Sequence, residues 1–297
     1  MRPFSSSRFL RRTAPFVFLL LAIEFLDEFI FGAREASWPL IRTELGLSYI
    51  QVGLLLSLPG VFGSLIEPII GILGDVGRRR VLILGGGLVY AAALVLTAVS
   101  QDFLLLLISF ILFYPASGAF VSLSQASLMD AEPSRREQNM ARWSFSGSLG
   151  VVAGPIALSV ALTLALGWRG LFLVFAILTL ALLALARRFP FTSDQEDSER
   201  NSFVAGLKDA LRALRRKEVL RWLFLLECSD LMLDVMLGFL ALYFVDVVGA
   251  TPAQAALAVA VWTGVGLLGD FLLIPLLERV PGLRYLRWSA ALNLVLY

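Results

Sequence analysis

Histidine is absent from the sequence, cysteine occurs once, as Cys228, and only 16% of the 297 residues are charged. Without histidine, proton chemistry near neutral pH falls to carboxyl groups kept protonated by burial. A lone cysteine excludes a disulfide framework within the chain and a multi-cysteine metal site. No nucleophile stands beside a base and no phosphate loop is recognisable, so neither an enzyme nor a bound metal or cofactor is expected. The run Gly85-Gly86-Gly87 lies inside an apolar stretch, where helix packing explains it better than nucleotide binding.

What is present is apolar. Hydrophobic residues make up 58% of the chain and the mean hydropathy is +0.82, values that point to an all-α polytopic membrane protein. Crossing the hydrocarbon takes about 20 residues per helix. Helix 1 is expected from about Pro15 into the low forties, helix 2 from Ser48 to Leu73 and helix 3 from Arg80 to Val99. Helix 4 follows from Phe103 to Leu128, helix 5 from Asn139 to Leu166 and helix 6 from Trp168 to Arg187. Helix 7 starts near Val219, helix 8 spans Thr251 to Leu277, and Arg284–Arg287 open a ninth. That run reaches Tyr297 after about half a bilayer crossing, so a truncated product or a fragment is expected.

The net charge of +2 hides an uneven distribution. Arginine gathers in 78–80, 130–142 and 187–221, while Ser100-Gln101-Asp102 and the Gly167 turn hold little. That alternation implies membrane orientation and no nucleic-acid partner. The N-terminus and both ends of the six-helix unit should be cytoplasmic, in the inner membrane of a bacterial or archaeal cell. Arg2, Arg8, Arg11 and Arg12 before an apolar run imitate a signal peptide, but Glu24, Asp27 and Glu28 argue for a retained first helix. Residues 1–189 read as a six-helix bundle, 190–217 as a cytoplasmic linker and 218–297 as an incomplete second bundle. Within the linker, 190–202 is polar and acidic. Phe203, Leu207, Leu211 and Leu214 then make the apolar face of a surface helix. Trp143, Trp222 and Trp288 stand beside arginines and read as interfacial anchors.

An internal repeat runs at a fixed offset of 203 residues. It pairs Gly46 with Gly249, Ser48 with Thr251 and Gln51 with Gln254, both polar pairs having capping-box spacing. The same offset aligns Glu24 with Glu227, Asp27 with Asp230, Glu67 with Asp270 and Asp75 with Glu278. Chance apolar similarity does not align acids inside greasy helices.

Between helices 2 and 3 stands Gly71-Ile72-Leu73-Gly74-Asp75-Val76-Gly77-Arg78-Arg79-Arg80. Gly71 and Gly74 let another helix approach, Asp75 suits a helix N-terminus, and Arg78 is placed to hold Asp75 or a facing carboxylate. This stretch fills every position of the signature in the loop joining the second and third helices of the major facilitator superfamily. The duplicated bundle resembles that family's two related halves, which rock about a central site. Gly150-Val151-Val152-Ala153-Gly154-Pro155 is similar to the helix 5 motif of its drug/proton antiporters. The trailing Ile156-Ala157-Leu158 lacks that motif's glycine pair, and Phe110 to Gly118 lacks the arginine those antiporters carry in helix 4. In the second copy the loop is reduced to Glu278-Arg279, and Glu278 is expected against helix 5 near Asn139–Arg142.

Glu24, Asp27 and Glu28 fall on one helical face, as do Glu227, Asp230 and Asp234. An ionised acid at mid-membrane costs on the order of 3 kcal/mol, so these must face protein or a wet cavity. The resemblance places helices 1 and 7 along the central pathway, with Arg34 the nearest base. Crowded carboxyls share protons and exchange them for a cation. A purely structural role, capping or bonding neighbouring helices, is the competing reading. Glu67 and Asp270 suit a gate or helix contact, and Gly147, Gly150, Gly154 and Pro155 suit close packing and bending of helix 5.

The function implied is a secondary transporter working by alternating access. Proton-coupled efflux of small lipophilic or cationic compounds is the expected form, with sodium an alternative ion. A sugar or organic-anion symporter ranks lower because the cavity helices supply few bases. A non-transporting membrane sensor or subunit is the alternative of another class.

Overall fold

The computed structural model describes residues 6–131, 133–189, 191, 208, 212–213, 215–277, 279–280, 284–285, 287–289 and 291–292. Eight long helices account for the fold among them. They are α1 (Ser6–Leu45), α2 (Tyr49–Leu73), α3 (Arg79–Val99), α4 (Phe103–Ala131), α5 (Arg136–Thr163), α6 (Gly167–Ala186), α7 (Lys217–Asp246) and α8 (Pro252–Leu277). Five helical stretches are long and apolar enough to cross a membrane: Tyr49–Val99, Phe103–Ala131, Gln138–Thr163, Gly167–Ala186 and Pro252–Gly269. The first of these supplies two helices. Gly77 breaks it with φ 86°, a left-handed conformation suited to glycine, and both α2 and α3 pack along α4. The chain therefore reverses at the arginine-rich loop.

The helix ends follow the polar sequence signals. Ser48 accepts from the Gln51 amide, while the Gln51 side chain takes the Ser48 amide at 2.9 Å, closing a capping box. Thr251 and Gln254 repeat this at the same 2.9 Å, and the Gln254 amide donates to the Thr251 hydroxyl at 3.3 Å. Gly46 and Gly249, one repeat apart, both turn with positive φ, 62° and 78°. Asp102 caps α4 by accepting from the Leu105 amide at 2.9 Å. Helix α1 begins at Ser6, earlier than expected, and takes Pro15 inside it.

Helix α4 is not regular throughout. Pro115 leaves a carbonyl without its amide, and a π turn over Gly118–Ser122 absorbs the irregularity before Leu123–Ala131 resumes. Gly118 becomes a buried crossing point in consequence.

Helix α1 is the hub, packing on α5, α6, α7 and α8. Its crossing with α5 is backbone against backbone. A Cβ at Gly150 would stand 2.5 Å from the Phe25 carbonyl oxygen, one at Gly154 would strike the Ala33 amide, and Gly32 meets the Val151 carbonyl the same way. Gly86, on α3, is equally tight against Ala119 and Phe120 of α4, which gives the glycine run a packing role. Helices α7 and α8 join the first six chiefly through α1 and α5. Gly150→Leu should thus cost ~3 kcal/mol or prevent folding, since backbone cannot yield to the new side chain. A thermal melt of the purified variant in detergent checks this, with Gly53→Leu, at a site open beyond 4 Å, as the tolerated control.

Candidate functional site

The polar face of α1 is enclosed by α3, α4 and α5. Asp27 accepts from the Tyr90 hydroxyl of α3 at 2.5 Å and from the Ser117 hydroxyl of α4 at 3.1 and 3.2 Å. Glu24 is buried against α5, where a Cβ on Gly147 would stand 2.8 Å from its Oε1. Glu28 lies beside it, 3.2 Å from the same position and 3.0 Å from a Cβ on Gly150. The small residues of α5 thus do two things: they bring α1 close, and they leave room for two carboxylate side chains. Pro155, one residue past Gly154, is buried in this contact.

Glu67 reaches the same turn of α4 from the other side. A Cβ on Gly118 would be 2.7 Å from its Cγ, and Gly118 follows the Ser117 that binds Asp27. Glu67 and Asp27 therefore flank one turn of α4. The π turn begins here, so the irregular backbone adjoins the acidic site.

Two turns along α1 from Asp27, and on the same face, Arg34 is 3% exposed. Its Nη2 pairs with Glu35 Oε1 at 2.8 Å and its Nε donates to the same oxygen at 3.0 Å. The guanidinium sits over Phe31, Tyr114, Phe110 and Phe113, 5.1 to 5.8 Å from the ring centres. Glu35 Oε2 accepts from the Trp38 indole at 3.0 Å, and a Cβ on Gly238 of α7 would lie 3.5 Å from it. Both oxygens of this buried carboxylate are thereby bonded. Sequence reasoning passed over Glu35 and Trp38, although an adjacent Arg-Glu pair inside an apolar run is itself a signal of internal pairing.

At the end of α1 away from the arginine loops, Arg42 bonds Asp246 of α7 at 2.8 Å and stacks on the Tyr49 ring at 4.3 Å. The Tyr49 hydroxyl donates to the same Asp246 oxygen at 2.5 Å. This cluster ties α1 and α2 to α7. No motif in the sequence announced it.

The Gly71–Arg80 loop is held differently from the expectation. Arg79, and not Arg78, is the buried arginine: it bonds Asp130 at 2.6 Å and Asp75 at 3.5 Å. Arg136 approaches Asp130 at 3.8 Å, Arg80 donates to the Arg187 carbonyl at 2.9 Å, and Arg78 is exposed. The reason is position: Arg79 is the first residue of α3 and points inward, while Arg78 lies in the turn. Gly74 meets Leu123 at 2.7 Å from a built Cβ, whereas Gly71 has nothing within 4 Å among the described residues. Of the two glycines, only Gly74 is a close-approach site here.

The side chains of Glu227, Asp230, Asp234 and Asp270 lie outside the described residues, as does Glu278 altogether. Their helices are described: α7 carries the first three and α8 carries Asp270.

With this geometry, comparison with known proteins is decisive for the family. The model of the Major Facilitator Superfamily matches residues 17–297. The chain belongs to the major facilitator superfamily. Among solved structures, it is similar to a bacterial homolog of the human lysosomal transporter Spinster, in an inward-facing and unoccupied conformation. The TM-score is 0.71 at 19% identity, covering 90% of this chain and 62% of that one, so the likeness concerns the fold. The present chain spans about three fifths of that protein's length. As a superfamily member it is an integral membrane protein, and its loop signature is anchored through Arg79.

Replacing Arg79 by alanine removes the hydrogen bonds to Asp130 and Asp75 and should cost ~2 kcal/mol. Arg78→Ala should stay within ~0.5 kcal/mol. Melting temperatures of the two variants in one detergent compare them directly.

Proposed function

We propose that this superfamily chain is a secondary transporter working by alternating access, with proton entry coupled to efflux of small lipophilic or cationic compounds. The observation that supports this best is Asp27, an acid in an apolar helix turned toward protein and bonded by hydroxyls from two other helices. Intramembrane acids are functional by default because their cost is otherwise uncompensated. Glu24 and Glu28 on the same helix supply further carboxyl groups beside it, while the rings of Phe31, Phe113 and Tyr114 already face the Arg34 guanidinium. A cation entering this region competes with the proton for Asp27, which is the physical basis of exchange. Arg34, the buried base nearest Asp27 among the described residues, is neutralised by Glu35, which leaves little there to attract an anionic substrate.

In this reading the arginine-rich loops and the N-terminus face the cytoplasm. The bundle 1–189 and the segment 218–297 form the two moving parts, joined by 190–217. Glu227, Asp230 and Asp234 complete the acidic pathway from α7, and Glu67 with Asp270 serves as an inner gate. The Gly71–Arg80 loop steers that gate together with Glu278. The Arg42–Tyr49–Asp246 cluster is the latch of the opposite side.

Adding a lipophilic cation to energised inverted vesicles carrying the protein should dissipate the pH gradient, without dependence on sodium. Asp27→Asn should reduce this coupling at least tenfold at equal expression. Unaltered coupling in that variant would overturn the role given to Asp27. Asp246→Asn should loosen the latch by about 1 kcal/mol, about fivefold in the open population of that side. Spin labels at Thr43→Cys and Val248→Cys, in a Cys228→Ser background, read that population as a distance distribution.

A further inference from the structure

We infer that the arginine-rich end of the α3–α6 wall is a seat for the phosphate headgroup of an anionic phospholipid, formed by Arg80, Arg187 and Arg188. Helices α3 and α6 pack against each other, while α7 and α8 reach the first six chiefly through α1 and α5. The outer face of the wall is therefore exposed among the described residues and, in this proposal, turned to lipid. Val81, 72% exposed, Leu88 and Val95 form a stripe on α3 at seven-residue spacing, beside exposed Ile177, Leu180 and Leu185 on α6.

Three arginines stand at the foot of this stripe. Arg80 directly precedes Val81, and Arg187 and Arg188 follow Leu185 within three residues. The bond from Arg80 Nη2 to the Arg187 carbonyl, 2.9 Å, draws the two helix ends together, and among the described residues the other Arg80 donors meet no acceptor. All three residues are exposed.

Among the described residues, the acids at this end are already committed. Asp75 and Asp130 are taken by buried Arg79, and Asp130 also faces Arg136. Among the described residues no acid lies within ion-pair distance of Arg80, Arg187 or Arg188. Phe16 packs on Phe189 and Phe191, with ring centres 5.7 and 5.4 Å apart, which brings the start of α1 to the same corner. Arginines brought to one helix end, with no paired acid among the described residues and beneath an exposed apolar stripe, match a lipid whose phosphate meets the arginines and whose chains cover the stripe. The apolar stripe is what selects a lipid over a soluble anion. This inference does not depend on the transport reading.

The test is native mass spectrometry of the purified full chain in detergent, titrated separately with phosphatidylglycerol and phosphatidylcholine. Phosphatidylglycerol should be retained preferentially. Each arginine near a membrane surface is worth about fivefold in affinity, so Arg80→Gln/Arg187→Gln/Arg188→Gln should weaken retention about 100-fold. Arg80→Lys/Arg187→Lys/Arg188→Lys, which keeps the charge, should retain most of it and controls for folding. Equal retention of the two lipids, the outcome expected if the acids of 190–202 already cover the arginines, overturns the proposal. So does undiminished phosphatidylglycerol binding in the glutamine variant, or its displacement by millimolar inorganic phosphate.

Discussion

An ionised carboxylate at the middle of a bilayer costs on the order of 3 kcal/mol, and α1 carries Glu24, Asp27, Glu28 and Glu35 within twelve residues. Lipid exposure of that face is excluded, and the arrangement of the other helices answers to it. Tyr90 and Ser117 bond Asp27, the small residues of α5 accommodate Glu24 and Glu28, and Arg34 with Trp38 saturates Glu35. Each device comes from a different part of the chain. The charge that makes α1 unsuitable for lipid also keeps it out of the set of plainly apolar spans.

Enclosing α1 needs proximity, and proximity is supplied by missing side chains. Gly32, Gly150 and Gly154 let α1 and α5 touch through their backbones, so dispersion contacts accumulate without the rotamer entropy of large side chains. The same two helices carry most of the contact with α7 and α8. Any relative movement of the two parts must therefore be felt along α1, where Gly238 faces Glu35 and Asp246 bonds Arg42. Chemistry and mechanical connection share one helix.

Much of this was readable beforehand because membrane constraints are written in local sequence. Hydropathy delimits the spans, the two capping boxes mark equivalent helix starts, and Gly77 marks the reversal. The internal repeat found at 203 residues reappears as matched glycine conformations and matched cap distances. What escaped was pairing between distant residues. Within the loop motif the hold on Asp75 was expected of Arg78 and falls to Arg79, because the orientation of adjacent arginines depends on where the turn ends and α3 begins. Asp246 was missed because its partners are set by helix crossing, which no spacing rule encodes; Glu35 was missed although its partners Arg34 and Trp38 stand beside it on α1. Among the described residues Gly71 has no close neighbour of the kind its motif suggested.

The central claim is that Asp27 exchanges its proton for a cation inside this enclosure. Infrared difference spectroscopy of the carboxylic acid carbonyl band, with and without a lipophilic cation at fixed pH, addresses it at the level of the bond. The account predicts a negative band on cation addition in the unaltered protein that is missing in Asp27→Asn. A carboxylic acid spectrum unmoved by the cation, at concentrations where binding is independently measured, would contradict it.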